Sequence, residues 1–88
     1  MNLTARQRKI IRAILEVLNG FEGAQLNETI LHAEVNLRLT PTAPLVEFSD
    51  AMEIASNHGW VNGVHPKFGG SRLWNITDAG QGTRMELK

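Results

Sequence analysis

The residues that could carry metal or redox chemistry in this sequence are few. The 88-residue chain has no cysteine, which excludes disulfides, thiolate nucleophiles and cysteine-bound zinc, and it has three histidines. Glu28 and His32 stand four residues apart, the spacing of a metal-binding pair and also of an ordinary contact on one helix face. Because catalytic zinc usually takes three protein ligands and no second pair is present, we expect neither a metal nor a cofactor.

The chain offers equally little for nucleophilic or acid–base catalysis. None of its three serines lies in a Gly-x-Ser-x-Gly elbow, and its glycines match no phosphate loop or dinucleotide fingerprint. Glu47, Asp50 and Glu53 are spaced three residues apart on a predicted helix, where neighbouring acids are far more often solvated surface groups than catalytic pairs. We therefore expect a protein that is not an enzyme.

Length and composition indicate a single globular domain over residues 1–88. Apolar residues make up 42% of the chain and charged residues 20%, which is ordinary for a folded domain. No apolar run approaches the ~20 residues of a membrane span, and the N-terminus lacks a signal-peptide pattern. Together with the missing cysteines, these features lead us to expect a cytoplasmic protein without a membrane partner.

Charge is segregated along the chain, although nine basic and nine acidic side chains cancel. Residues 1–12 contain four cations and no acid, whereas residues 13–53 contain seven acids and one arginine, and residues 54–88 are again slightly basic. A neutral chain has no global field that attracts nucleic acid. Any nucleic-acid partner would therefore have to bind a local basic patch.

Hydrophobic spacing predicts a first helix that begins at Thr4 and ends at Gly20. Thr4 and Gln7 fit the capping box in which each side chain satisfies a backbone N–H of the other residue. Asn19-Gly20 then supplies the glycine that favours a helix end.

Two more helices are predicted, at about 27–38 and 44–57, on either side of the proline-containing turn 40–44. Both carry an apolar stripe that should face the core. In the second helix the stripe consists of Ile30, Leu31, Val35 and Leu39, and in the third of Leu45, Phe48, Met52 and Ala55. The exposed face of the third helix should present Glu47, Ser49, Asp50, Glu53 and Asn57.

The last third of the chain changes to a strand-like period. Residues 60–65 and 72–76 predict an antiparallel hairpin whose tip is 66–71, and Asn62-Gly63 is expected to form a bulge or kink in the first strand. Thr77 can cap a short final helix at about 78–86, which its two glycines should weaken.

This order of elements resembles the winged helix-turn-helix superfamily. The stretch 56–61 (Ser-Asn-His-Gly-Trp-Val) is similar to the end of the third helix and the start of the wing in that family. The stretch 74–80 (Trp-Asn-Ile-Thr-Asp-Ala-Gly) is similar to the motif that closes the wing in MarR- and PadR-type regulators. The resemblance implies an α+β fold, with a three-helix core and a C-terminal antiparallel β-hairpin wing, and identifies no subfamily.

The acidic third helix departs from the pattern of the superfamily, in which this helix enters the major groove and usually carries basic or amide side chains. No lysine or arginine lies between residues 39 and 66, and three carboxylates on one face repel phosphate. Compensating charge would have to come from cations of the wing or of the first helix. The alternative is that these cations are ordinary solvated side chains that contact no partner. The candidate DNA-contacting residues are Lys67, Gly69, Gly70 and Arg72 in the wing, and Arg6, Arg8, Lys9 and Arg12 in the first helix.

Two functions remain open from the sequence. The first is a small module that binds double-stranded DNA, as a transcriptional regulator or mobile-element accessory protein. The second is a winged helix used for protein–protein interaction, with the acidic helix on a basic partner or with Phe68 anchoring a homodimer. Phe68 is expected at the wing tip, where an exposed ring could anchor a partner, a second subunit or a base. The alternative is that the wing folds back and covers the ring.

Overall fold

The computed structural model describes residues 3–21 and 24–87, and these residues form four helices and one three-stranded sheet. In chain order the elements are α1 (Ala5–Gly20), β1 (Leu26–Asn27), α2 (Glu28–Asn36), α3 (Leu45–Asn57), β2 (Val61–Val64), β3 (Leu73–Ile76) and α4 (Asp78–Glu86). The predicted α+β fold, with three helices ahead of a C-terminal wing, is confirmed. No helix within the described residues has the length and apolar character needed to cross a membrane.

Helix α1 lies at the centre of the fold and packs against α2, α3, α4 and β3. The predicted capping box is present: the Gln7 N–H donates to Thr4 Oγ1, and the Thr4 N–H donates to Gln7 Oε1, both at 3.0 Å. The buried side chains of α1 are Ile10, Ile11, Ala13, Ile14, Leu15, Val17 and Leu18. Because they spread over much of the helix circumference, α1 can pack against several elements at once. Burial of each large aliphatic side chain stabilises the fold by about 1.5–3 kcal/mol.

Two residues predicted to face the core, Ile30 and Leu45, point to solvent instead, with 52% and 61% of their surface exposed. In α2 the buried positions are Leu31 and Val35, one helical turn apart, and Ile30 lies beside that row rather than in it. In α3 the buried row consists of Phe48, Ala51, Met52 and Ala55. Leu45 has the right spacing but lies in the first turn of α3, and the residue buried at this end of the helix is Ala43, just before it.

The sheet has the strand order β1-β3-β2, and both pairs are antiparallel. Strands β2 and β3 pair without interruption from Val61 opposite Ile76 to Val64 opposite Leu73, so the predicted bulge or kink at Asn62-Gly63 is wrong. Gly63 lies opposite Trp74, and a Cβ atom at this position would come within 2.7 Å of the Trp74 ring. The glycine therefore makes room for a cross-strand aromatic ring.

The two stretches that carry the family resemblance meet in space. Gly59, with φ +73°, ends α3, and the next N–H, of Trp60, donates back to the Ala55 carbonyl at 2.9 Å, as in a Schellman motif. The Thr77 N–H donates to the Trp60 carbonyl at 3.1 Å, and Thr77 Oγ1 donates to the Gly59 carbonyl at 2.6 Å. The same hydroxyl accepts from the Gly80 N–H at 3.0 Å and so caps α4, as predicted. We call this contact the α3–α4 junction.

The two glycines of α4 have different surroundings, which predicts opposite effects of substitution. A methyl group on Gly80 would overlap the backbone carbonyl of Trp60, so Gly80→Ala should destabilise the protein by about 1–3 kcal/mol. A methyl group on Gly82 would meet no atom within 4 Å, so Gly82→Ala should stabilise the protein by about 0.5–1 kcal/mol through helix propensity. Urea unfolding followed by circular dichroism measures both. Equal effects at the two positions would contradict the close packing at Gly80.

Candidate nucleic-acid interface

The exposed side of α3 and the wing line one open cleft of about 590 Å³. We define the wing tip as residues 65–72, between β2 and β3, and name this feature the α3–wing cleft. Helix α3 contributes Ser49, Met52, Glu53, Ser56 and Asn57, the wing tip contributes His65, Gly70, Ser71 and Arg72, and Glu28 and Trp74 complete the lining. The fold thus brings together five of the predicted site residues, namely Ser49, Glu53, Asn57, Gly70 and Arg72.

The outermost row of α3 consists of residues at helical spacing: Val46, Asp50, Glu53 and Asn57. All four are exposed, and Ser49 and Ser56 are exposed beside them, toward the wing. Two carboxylates therefore project from a helix face that also carries hydroxyl and amide groups, and we call this row the α3 ridge. Val46 is not predicted as a site residue from the sequence, because an apolar residue in a first helical turn gives no signal of function.

Glu47, the third predicted carboxylate of this face, forms an ion pair with Arg6 of α1. Arg6 Nε lies 3.3 Å from Glu47 Oε2, and Arg6 Nη2 donates to Glu47 Oε1 at 3.3 Å and to the Thr42 carbonyl at 3.1 Å. Both side chains are partly exposed, so the pair contributes only about 0.2–1 kcal/mol to stability. The pair matters more for the charge of this helix face, because Arg6 offsets one of its three negative charges.

The other cations of α1 face a different part of the molecule from the cleft. Lys9 Nζ donates to the Thr40 carbonyl at 3.3 Å, and Arg12 pairs with Glu16 at 3.2 Å. Arg8 is exposed, and within the described part of the chain its side chain makes no hydrogen bond or ion pair. Helix α1 contributes no residue to the α3–wing cleft, and Arg8, Lys9 and Arg12 instead line a depression on α1 itself.

The wing tip carries its own cations and holds them against aromatic rings. Arg72 Nη2 lies 3.0 Å from His65 Nε2, and the Arg72 guanidinium lies 5.2 Å from the centroid of the Trp74 ring. Lys67 Nζ lies 5.7 Å from the centroid of the Phe68 ring. Phe68 itself is 94% exposed, so the wing does not fold back over it.

Glu28 holds the indole of Trp74 at the floor of the cleft. Trp74 is buried, and its Nε1–H donates to Glu28 Oε1 at 3.0 Å, which supplies the partner that a buried indole needs. From the sequence, Glu28 is a candidate only as part of a metal pair with His32. His32 instead lies 2.8 Å from the Ala43 carbonyl and stacks on Phe48, and the described residues contain no cluster of three or more metal-binding side chains.

Three helices around α1, a short first strand added to a β2–β3 hairpin, and a cleft between α3 and that hairpin define a winged-helix fold. Two crystal structures are similar to it. F-93 of SSV1 matches 93% of this chain and 81% of its own, with a TM-score of 0.66 and 20% identity. TA0346 of Thermoplasma acidophilum, described as a proposed transcriptional regulator, matches 88% of this chain and 72% of its own, with a TM-score of 0.66 and 19% identity.

At these identities the likeness shows the fold alone. No protein-family model matches the chain, and no curated protein matches it by sequence. The chemistry of the interface must therefore be argued from the residues of this chain.

The hydrogen bond between Trp74 and Glu28 predicts a difference between two substitutions. Glu28→Ala leaves a buried indole N–H without a partner and should destabilise the protein by about 1–3 kcal/mol. Glu28→Gln removes the same charge from the start of α2 but keeps an oxygen acceptor, and should cost clearly less. Urea unfolding of both variants tests this. Equal losses would mean that the charge at the helix start, and not the hydrogen bond, is what matters.

Proposed function

We propose that this chain is a winged-helix module that binds double-stranded DNA through α3 and the wing tip. The observation that carries the proposal is that one end of the α3 ridge, Glu53 and Asn57, converges with the wing tip on one open cleft. Helix α3 has 13 residues, and an α-helix with its side chains is about 10–12 Å in diameter, which fits a major groove about 12 Å wide. The cleft beside it then receives one phosphate strand, and the wing tip reaches the far side of that strand.

The cleft offers hydrogen-bond donors to a phosphate strand, beside two carboxylates: Glu28, which accepts from the Trp74 indole, and Glu53. Serine hydroxyls, the amide of Asn57 and the Arg72 guanidinium are hydrogen-bond donors to phosphate oxygens, and Gly70 allows close approach of the backbone. Lys67 adds a second cation on the exposed turn. With two cations at the strand, binding should weaken with a slope of about −1.8 in a plot of log K against log salt.

The α3 ridge fits a role in specificity better than a role in affinity. Asp50 and Glu53 repel phosphates, but a carboxylate can accept a hydrogen bond from the amino group of cytosine in the major groove. Because Arg6 matches the charge of Glu47, only these two acids of the face have no cation beside them in the described residues. We infer a regulator of transcription or an accessory protein of a mobile element, which acts by occupying a DNA site and needs no catalytic group.

The alternative, a protein-interaction module, is favoured by the same two unpaired acids and by the exposure of Phe68. In this case the α3 ridge docks on a basic partner, or Phe68 anchors a second copy of the chain. Phe68→Ser should then lower the self-association constant in sedimentation equilibrium while the melting temperature stays unchanged. A large loss of stability would contradict the exposed position of the ring.

The first measurement is a titration of random-sequence duplex DNA, at low and at near-physiological salt, followed by fluorescence anisotropy. The variant with Lys67→Glu and Arg72→Glu should weaken binding uniformly across sequences and flatten the salt slope by about two. The matched control carries Arg8→Glu and Arg12→Glu, which changes the net charge equally at a surface outside the cleft. We expect this control to lose much less affinity.

Three outcomes would count against the proposal. Equal losses in the two double variants would mean that net charge alone, rather than the wing, attracts DNA. Unchanged affinity in the wing variant would show that the wing tip makes no phosphate contact. Absence of binding by the unaltered chain, even at low salt, would overturn the DNA-binding proposal and make the acidic α3 ridge the surface to test for a protein partner.

A further inference from the structure

We infer that Phe68 is a wedge that inserts between neighbouring base pairs of the bound duplex. This inference rests on the DNA-binding function proposed above and adds to it a specific residue, a site on the DNA and a deformation. It starts from the exposure of the ring: at 94%, Phe68 is the most exposed large apolar side chain of the described residues. A phenyl ring exposed to water in this way does not stabilise the fold. Its burial becomes favourable only when a partner covers it.

The backbone of the wing tip presents the ring at an apex. Lys67 and Phe68 are the central residues of a turn in which the Gly69 N–H donates to the Pro66 carbonyl at 3.4 Å. Gly69 and Gly70 follow with φ +87° and +95°, a conformation that other residues rarely adopt. Pro66 restricts the backbone before the turn, and the glycines allow the positive φ that redirects the chain after it, so the ring projects from a narrow support of two residues.

The surroundings of the ring fit a base step better than a protein partner. An anchor for a protein surface generally lies among other apolar side chains, which together exclude water. Phe68 instead lies between a lysine and two glycines, with the Lys67 ammonium 5.7 Å from its centroid. A flat ring stacks on bases, and a cation beside it can contact the phosphates that flank the same step.

The position of the wing relative to α3 leads to the minor groove. When α3 lies in the major groove and one phosphate strand occupies the α3–wing cleft, the next groove along the duplex is the minor groove, about 6 Å wide. A two-residue turn with a single ring is narrow enough to enter a groove of this width. Insertion there unstacks one step and bends the duplex away from the protein, toward its major groove.

The wedge predicts a preference for steps that unstack easily. Pyrimidine–purine steps such as TA kink readily, whereas A-tracts are stiff. The protein should therefore bind a duplex with central TA steps more tightly than an A-tract of the same composition. Because one stacked aromatic ring contributes about 1–3 kcal/mol per base, Phe68→Ala should reduce affinity for the TA duplex roughly 5- to 150-fold.

The test measures affinity and bending together, with short duplexes that carry a fluorescence donor and acceptor at their ends. The unaltered chain should raise the transfer efficiency of the TA duplex on binding, and Phe68→Ala should bind without that rise. Phe68→Leu keeps an apolar wedge and should retain most of the bend. Lys67→Gln is the charge control, and it should lower affinity and the salt slope while leaving the bend in place. Because the ring is exposed, all these variants should melt at the temperature of the unaltered chain.

The outcomes separate the wedge from the function on which it rests. If the unaltered chain binds DNA and Phe68→Ala binds equally well with the same transfer efficiency, the wedge is wrong and the DNA-binding proposal stands. If the unaltered chain does not bind DNA at low salt, both are wrong. If Phe68→Ala abolishes self-association but leaves DNA binding unchanged, the ring belongs to a protein interface, and the wedge is again overturned.

Discussion

The α3–α4 junction is the contact on which the position of the wing depends. Trp60 opens the path into β2, and its carbonyl accepts the Thr77 N–H from the chain that leaves β3, so both roots of the hairpin are tied to the end of α3. Gly80 lies directly against the same carbonyl, where a side chain would not fit. A hairpin attached only through its own strand pairing could tilt about its base. The bonds from the Trp60 N–H to the Ala55 carbonyl and from the Thr77 hydroxyl to the Gly59 carbonyl fix its direction relative to α3 and so keep the α3–wing cleft open.

A second contact, between the strands, stiffens the hairpin, so that its tip keeps the position that the α3–α4 junction sets. Trp74 packs across the space left by Gly63 and is held from the other side by Glu28 of α2. Arg72 lies over the same ring, so one aromatic side chain organises both the floor of the cleft and the cation at its edge. The interface that we propose is therefore supported by buried packing, while its contacting residues lie on the surface.

Local signals in the sequence predict the fold well because they depend on residues close to one another in the chain. The capping box of Thr4, the helix end at Gly59 and the cap at Thr77 are each decided within a few residues, and all three are present. The core positions predicted for Ile30 and Leu45 are wrong because helical spacing identifies a stripe but does not show where the neighbouring elements end. The kink predicted at Gly63 is wrong because this glycine accommodates a ring eleven residues away, on the partner strand.

The site is less predictable than the fold because its contacts join residues that are far apart in the chain. Arg6 and Glu47 are 41 residues apart, and no pattern in the sequence reveals that a cation from α1 matches one acid of α3. The role of Glu28 at Trp74 is likewise visible only after α2 and β3 are packed together. The exposed residues of α3 and the cations of the wing can be predicted from the sequence, but their common cleft cannot.

The two acids of the α3 ridge have a consequence for how such a protein would behave in a cell. Bulk chromosomal DNA presents an enormous number of competing sites, and a strongly basic module is bound to them most of the time. A sequence without cytosine at the contacted positions offers phosphates that repel Asp50 and Glu53 but no cytosine amino group from which they can accept a hydrogen bond. If the proposed DNA-binding function holds, a module with this surface binds bulk DNA more weakly than a strongly basic one does, so a larger share of its molecules is available for a few correct sites.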